Sequence, residues 1–176
     1  MTIFLIRHAT PNWDRKDIPY DIVPGPELAP KGEAEAQALA EFMKQAGLGK
    51  LYHSPFERAA RTAQIIAKVN GIPCIEDHRL AEWRSVDEPE TSVRERTISI
   101  FRQTEEESAK LGPIGLVSHG GPVALLLLEL GFPPHELAPY RKMFDTTNPL
   151  PPAGAWKIEK LRTEAAWKFQ LVFTPK

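Results

Sequence analysis

Short apolar runs bounded by breakers recur at residues 2–6, 50–53, 74–76 and 114–118, separated by stretches whose apolar residues return every three or four positions. Strand alternating with helix in this way predicts a parallel sheet with crossover helices. The first helix is read over 30–46, where Leu39, Phe42, Met43 and Ala46 share one face, Pro30 suits the first turn and Gly47 the stop. The second starts from Ser54 as N-cap with Pro55 in the first position, and turns Ala59, Ala63, Ile66 and Ala67 inward until Asn70 and Gly71 end it. A third amphipathic face runs through Val93, Thr97, Ile100, Phe101, Thr104, Ser108 and Leu111. After Gly120, Gly121 and Pro122, positions 123–128 are apolar nearly all round, the pattern of a helix packed deep against a sheet.

Near the C-terminus, strand formers over 156–161 and 167–173 flank a turn-like segment, predicting a hairpin that ends the sheet with an antiparallel edge. Two stretches lack any period, 11–27 and 83–90, and loops of that length in a compact protein are often functional, so both are placed over the active site. The expected fold class is therefore α/β: a three-layer α/β/α sandwich, mostly parallel, with helices on both faces and one domain spanning 1–176.

Composition narrows the partners. With 176 residues, 42% of them hydrophobic, the chain is long enough to bury a core without metals or disulfides. A net charge of -1 with both signs interspersed provides no field to gather nucleic acid or an anionic membrane, so neither is expected as a partner. The lone Cys74, between Pro73 and Ile75, reads as a small hydrophobe in a strand rather than a catalytic thiol. No apolar stretch approaches transmembrane or signal-peptide length, which gives a soluble, cytoplasmic expectation; self-association is left open.

The chemistry concentrates in three segments. Arg7-His8 closes the first apolar run, His119-Gly120-Gly121 follows the fourth, and Ser54-Pro55 leads to Arg58 in the first turn of the second helix. All three fall at the carboxyl ends of predicted parallel strands, where open α/β sheets bind ligands. Helix N-termini there would present backbone N–H groups to a phosphate. Singly, each segment has an ordinary reading as a strand end, a helix start or a strand-to-helix turn; their order along the chain is what gives them weight. Together with Glu82 in Leu80-Ala81-Glu82-Trp83 they resemble the histidine phosphatase (phosphoglycerate mutase-like) superfamily. The likeness runs from Ile3 to about Gly131.

That resemblance implies a metal-independent phosphomonoesterase without cofactor. His8 is the nucleophile that takes up the phosphoryl group, while Arg7, Arg58, His119 and Gly120 bind it. Glu82 is the acid that protonates the leaving oxygen and later the base that activates water, with Asp77, Asp87 and Glu88 as alternative acids. Guanidinium forks suit phosphate oxygens, and neighbouring cations favour the neutral imidazole that attack requires. No His, Cys and acid grouping has metal-ligand spacing along the chain, so no metal site is expected. His53, His78 and His135 lack comparable context and are assigned to packing, capping or solubility.

The implied substrate is a phosphorylated small molecule or phosphoprotein. Ala9, Thr10 and Pro11 replace the family's usual residues after the histidine, Asp14 stands where asparagine is frequent, and the segment after Glu82 also departs. Asp87, Glu88 and Glu90 set against Arg84 in that segment favour phosphatase over a phosphoglycerate mutase-type phosphotransferase. A non-catalytic phosphate-binding module is the third reading, opposed by the presence of His8, both arginines and His119.

Overall fold

A computed structural model of the chain describes residues 1–144, 148–161 and 163–176. Among them, six strands form one sheet in the order β3-β2-β4-β1-β5-β6. The strands are β1 (Thr2–Arg7), β2 (Lys50–His53), β3 (Cys74–Glu76), β4 (Ile114–Ser118), β5 (Ala155–Glu159) and β6 (Lys168–Phe173). The helices are α1 (Pro30–Met43), α2 (Glu57–Asn70), α3 (Glu90–Leu111), α4 (Gly120–Glu129) and α5 (Pro134–Phe144). β1 to β4 pair in parallel, whereas β5 runs antiparallel to β1 and β6 antiparallel to β5. The expected α/β sandwich and its C-terminal hairpin are both present.

Burial on both faces explains the continuous apolar runs. Phe4 and Ile6 of β1 join Leu39 and Met43 of α1 and Ala63 and Ile66 of α2 in one core. Ile3 and Leu5, pointing the other way, join Ile100 and Phe101 of α3, Leu126 and Leu127 of α4, and Trp156 of β5 in the second. Truncating a side chain such as Leu126 in either layer costs about 2–5 kcal/mol.

Helix ends follow local chemistry. The predicted 30–46 helix is α1 continued by a 3₁₀ turn over Lys44–Ala46, and Gly47 stops it in the left-handed conformation at φ 63°. Gly71 stops α2 in the same way at φ 66°. The start of α2 corrects the sequence reading: the helix begins at Glu57 with Phe56 as its cap, and Ser54 lies in the turn before it. α5 carries no sequence expectation, because Pro133, Pro134 and Pro139 break its pattern; Pro134 starts the helix and Pro139 sits inside it.

The sheet order positions the site. α1 follows β1 onto one face and α4 follows β4 onto the other, so the neighbouring strands β1 and β4 form a topological switch point with a crevice at their carboxyl ends. The backbone N–H of His8 donates to the Ser118 carbonyl at 2.9 Å and that of Ser54 to the Val117 carbonyl at 3.0 Å. Strand β4 thus holds the exits of both β1 and β2 level with its own end, at His119.

Candidate active site

His8, Arg7, Arg58 and His119 are all buried at this crevice, and Glu82 reaches it from the segment after β3. The His8 ring fixes its own tautomer through the chain: Nδ1 lies 2.8 Å from the Ala9 carbonyl, so it carries the proton and donates, leaving Nε2 unprotonated as an acceptor. The backbone there is tightly held, with Ala9 N–H donating to Thr62 Oγ1 at 3.0 Å and Thr10 N–H to Glu35 Oε2 at 2.9 Å. Ala9 does not adopt positive φ, so its methyl group imposes no backbone strain.

Arg58 connects the site. Its Nε donates to His8 Nε2 at 3.2 Å and its Nη1 to the Tyr20 carbonyl at 2.9 Å, while Nη2 lies 3.5 Å from Glu82 Oε2 and 3.3 Å from His119 Nδ1. The guanidinium is sandwiched between the rings of Tyr20 and Phe56, at 4.0 and 4.6 Å from their centroids. Gly25 completes the clamp, since a Cβ there would stand 2.7 Å from Arg58 Nη1. Arg7 donates to the Leu150 carbonyl at 3.1 Å and lines the same cleft.

Ser54 has a different role from the expected N-cap. Its Oγ is 2.7 Å from His119 Nε2 and accepts the Phe56 N–H at 3.3 Å. His119 Nδ1 faces both Glu82 Oε2 and Arg58 Nη2, each 3.3 Å away. The α2 N-terminus is also less open than expected: the Glu57 N–H donates to the Pro24 carbonyl at 2.8 Å, so this helix supplies the cleft with Arg58. At the α4 N-terminus, Gly120 and Gly121 line the cleft, and a Cβ on Gly120 would overlap the Asn148 amide.

Burial, followed by the charges of His119, Arg58 and Arg7, holds His8 well below the ordinary imidazole value of 6.5. Burial likewise lowers His119, against the opposing pull of Glu82. Glu82 differs: burial pushes its carboxyl up, but His119, Arg58 and the Trp83 N–H outweigh it and bring the group to about 2. Desolvation alone therefore does not make Glu82 an acid. The alternative acids are less suitably placed: Asp77 is held by Arg79 at 2.6 Å, Asp87 by Arg84 at 3.1 Å and Glu88 by Arg96 at 2.7 Å.

Loop 11–27 brings in two aromatic residues that the sequence did not single out. Tyr20 puts its hydroxyl 3.4 Å from His8 Nε2, and Trp13 stacks on the Tyr20 ring at 4.9 Å. The segment over 83–90 adds Trp83 and reaches Glu90 at the start of α3, so both aperiodic loops border the cleft as expected. Asp14 remains exposed. His53 is buried against the Ser54 carbonyl, while His78 and His135 project from the surface.

Ligand atoms of His8, Glu82 and His119 lie within 4.8 Å of one another, a grouping that could hold a metal ion and that residue spacing along the chain does not reveal. The Arg58 guanidinium contacts all three side chains. Its charge opposes a bound cation and complements an anion.

Residues 3–87 match the sequence model of the histidine phosphatase superfamily, branch 1. The chain is 29% identical over 114 residues to phosphoserine phosphatase 1 of Hydrogenobacter thermophilus, covering 62% of this chain and 53% of that protein. It is 33% identical over 82 residues to a protein described as a probable phosphoglycerate mutase, GpmB, of Escherichia coli, covering 47% of this chain and 38% of that one. The matched stretches thus span about half or less of these relatives. The fold is shared along nearly the whole chain with a mycobacterial glucosyl-3-phosphoglycerate phosphatase in complex with VO3, at a TM-score of 0.78, 18% identity and 99% coverage of both chains. A phosphoglycerate mutase of Bacillus anthracis superposes with a TM-score of 0.77 at 16% identity, covering 98% of this chain and 92% of that one. Among the described residues, no helix is long and apolar enough to cross a membrane.

Proposed function

We propose that the protein is a metal-independent phosphomonoesterase working through a phosphohistidine on His8. The observation that carries the reading is the unprotonated Nε2 of a neutral, buried His8, held by the Ala9 carbonyl on its other nitrogen and accepting from Arg58 Nε at 3.2 Å. A phosphoryl group entering the cleft past Arg7 and Gly120 of its lining meets Arg58 and His119 buried behind them, and the positive charge and donors of these residues complement its oxygens. Nε2 attacks phosphorus as the ester P–O bond breaks, and the leaving oxygen takes a proton from Glu82. Water, deprotonated by the same carboxylate, then displaces the histidine and releases inorganic phosphate.

Glu82 becomes an acid through the substrate. A phosphate dianion takes up the positive field of Arg58 and adds negative charge beside the carboxylate, both of which raise its proton affinity. The phosphatase and phosphoglycerate mutase names among the relatives support phosphoryl chemistry of this kind. The loop-charge argument against a mutase is weaker in three dimensions, because Asp87, Glu88 and Glu90 are paired with Arg84, Arg96 and Arg94. Arg141 at the same cleft favours keeping the mutase as second reading, since it suits a second anionic group. We assign a soluble, cytoplasmic setting with no membrane or nucleic-acid partner.

The test is p-nitrophenyl phosphate hydrolysis in EDTA, with base-stabilised trapping of the phosphoenzyme. We expect turnover, phosphohistidine at His8, and a loss of orders of magnitude in kcat in His8→Ala. Absence of phosphohistidine together with near wild-type turnover in His8→Ala refutes the mechanism, and activity lost to EDTA but restored by metal refutes metal independence. Addition of 3-phosphoglycerate with trace 2,3-bisphosphoglycerate separates mutase from phosphatase.

A further inference from the structure

The cleft encloses about 590 Å³, far more than one phosphoryl group fills and within the range of sites that bury a whole small molecule. Arg7, Glu82 and Gly120 form its reacting end. The rest of the lining is of another chemical kind: Trp13, Trp83, Ala124 and Leu125 provide aromatic and aliphatic surface, and Arg141 from α5 adds a cation. No step of the proposed hydrolysis uses these residues.

Three observations give this outer region a ligand. Trp13 is 56% exposed, although tryptophan is a residue that folding normally covers, and stacking on Tyr20 at an interplanar angle of 17° fixes its orientation. Trp83 is held by its Nε1, which donates to the Glu88 carbonyl at 2.9 Å, so its ring is a rigid part of the wall. Arg141 Nε is buried and has no hydrogen-bond partner among the described residues, a donor left unsatisfied until an acceptor arrives. The acid nearest this region in the lining, Glu90, has its carboxylate bound by Arg94 at 2.7 Å, which reduces its repulsion of an incoming anion.

Building on the phosphomonoesterase reading, we infer that the outer cleft is a leaving-group site for an alcohol bearing a ring with an apolar face and a second acidic oxygen group. The ring packs on Trp13 and Trp83, and the acid, a carboxylate or a second phosphate, is bound by Arg141. Flat aromatic walls match ring faces, and a guanidinium matches either acid. Simple alkyl phosphates fill only the reacting end and leave the Arg141 donor unpaired, so they are the poorer class of substrate.

Binding is measured by calorimetry in the non-turnover His8→Asn protein, with phenyl phosphate, 4-carboxyphenyl phosphate, 1,4-phenylene bisphosphate and glycerol phosphate. At least one acid-bearing ring ester should bind roughly tenfold more tightly than phenyl phosphate, the order of one charge-assisted hydrogen bond, and whichever does so names the acid. Adding Arg141→Gln should bring that ratio close to one, while Arg141→Lys retains part of it. Adding Trp13→Ala should weaken the ring esters relative to glycerol phosphate. Equal affinity for acid-bearing and acid-free rings, or an unchanged ratio in Arg141→Gln, overturns the inference. The readout needs no catalysis: esters that bind with the predicted ratio but are not hydrolysed by the wild-type protein refute the phosphatase reading and leave the binding site standing.

Discussion

Lowering the pH from 7.5 to 5.5 should destabilise this protein through His8 and His119. Both are held below the ordinary value of 6.5 in the folded state, so the unfolded chain binds protons in this window that the native chain refuses. Stability therefore falls as pH falls through 6.5. Each histidine that stays neutral to pH 5.5 costs about 1.4 kcal/mol, so the pair costs up to about 2.7 kcal/mol. With an unfolding entropy of about 2.1 cal/mol/K per residue, this chain should lose up to about 7 °C in Tm. Glu82, lowered from 4.5 to about 2, adds stability that is present above 4.5 and lost only as pH falls towards 2, outside this window. Urea unfolding at the two pH values in phosphate-free buffer measures the effect. His8→Asn should remove roughly half of the pH dependence, and His78→Gln, at an exposed side chain, serves as control. Equal stability at pH 7.5 and 5.5, or an undiminished dependence in His8→Asn, would show that His8 is not held neutral and would remove the basis for its nucleophilic role.

Arg58→Lys should weaken inhibition by vanadate or phosphate by roughly 10- to 100-fold, because an ammonium cannot replace a fork that reaches His8, Tyr20 and His119 together; unchanged inhibition would take Arg58 out of the pocket. Tyr20→Phe keeps the ring over Arg58 and should change phosphate affinity by less than about threefold, whereas Tyr20→Ala removes a contact worth about 0.5–2 kcal/mol and should weaken it further. Equal effects of the two substitutions would assign the role to the hydroxyl rather than the ring. Glu82→Gln should reduce hydrolysis of glycerol phosphate about tenfold or more beyond its effect on p-nitrophenyl phosphate, whose phenolate leaves without help, provided phosphoryl transfer limits both rates. Equal losses without accumulated phosphoenzyme would move the acid role elsewhere; accumulation would identify Glu82 chiefly as the base of the second step.

The layers of the fold were legible because each buried strand leaves an apolar run and each packed helix a periodic face. Residues 50–53, 74–76 and 114–118 are strands in the structure at those bounds. Local chemistry misled where a side chain had a distant partner. Ser54 before Pro55 has the composition of a helix cap, but its hydroxyl is engaged by His119, 65 positions away, and no local rule anticipates that. α5 escaped detection because its prolines mimic a loop. Within the site, Arg7, His8, Arg58 and His119 could be found because they end strands or begin a helix. Tyr20 and Trp13 could not, since their position depends on how a loop without period folds back over Arg58. The possible metal-binding grouping of His8, Glu82 and His119 was invisible for the same reason, as its members come from three separate segments.

These long-range contacts also explain how two buried histidines, close in space, serve different ends. Their ring centroids are 5.1 Å apart, and both are driven towards neutrality by burial, yet each is held by different neighbours. The Ala9 carbonyl accepts the Nδ1 proton of His8 and leaves Nε2 unprotonated, facing Arg58 Nε. Ser54 Oγ meets Nε2 of His119 at 2.7 Å, and Nδ1 faces Glu82 Oε2 at 3.3 Å. In the proposed mechanism the first ring is thereby prepared as a nucleophile, and the second is steadied between a hydroxyl and a carboxylate. Glu82 sets a carboxylate against buried Arg58, 3.5 Å from its Nη2. An incoming phosphate competes for that guanidinium and releases Glu82 from its partner at the same time. In the proposed mechanism, the contact that holds the carboxylate ionised is thus the one the substrate weakens, which couples anion binding to the arrival of the proton that the leaving oxygen needs.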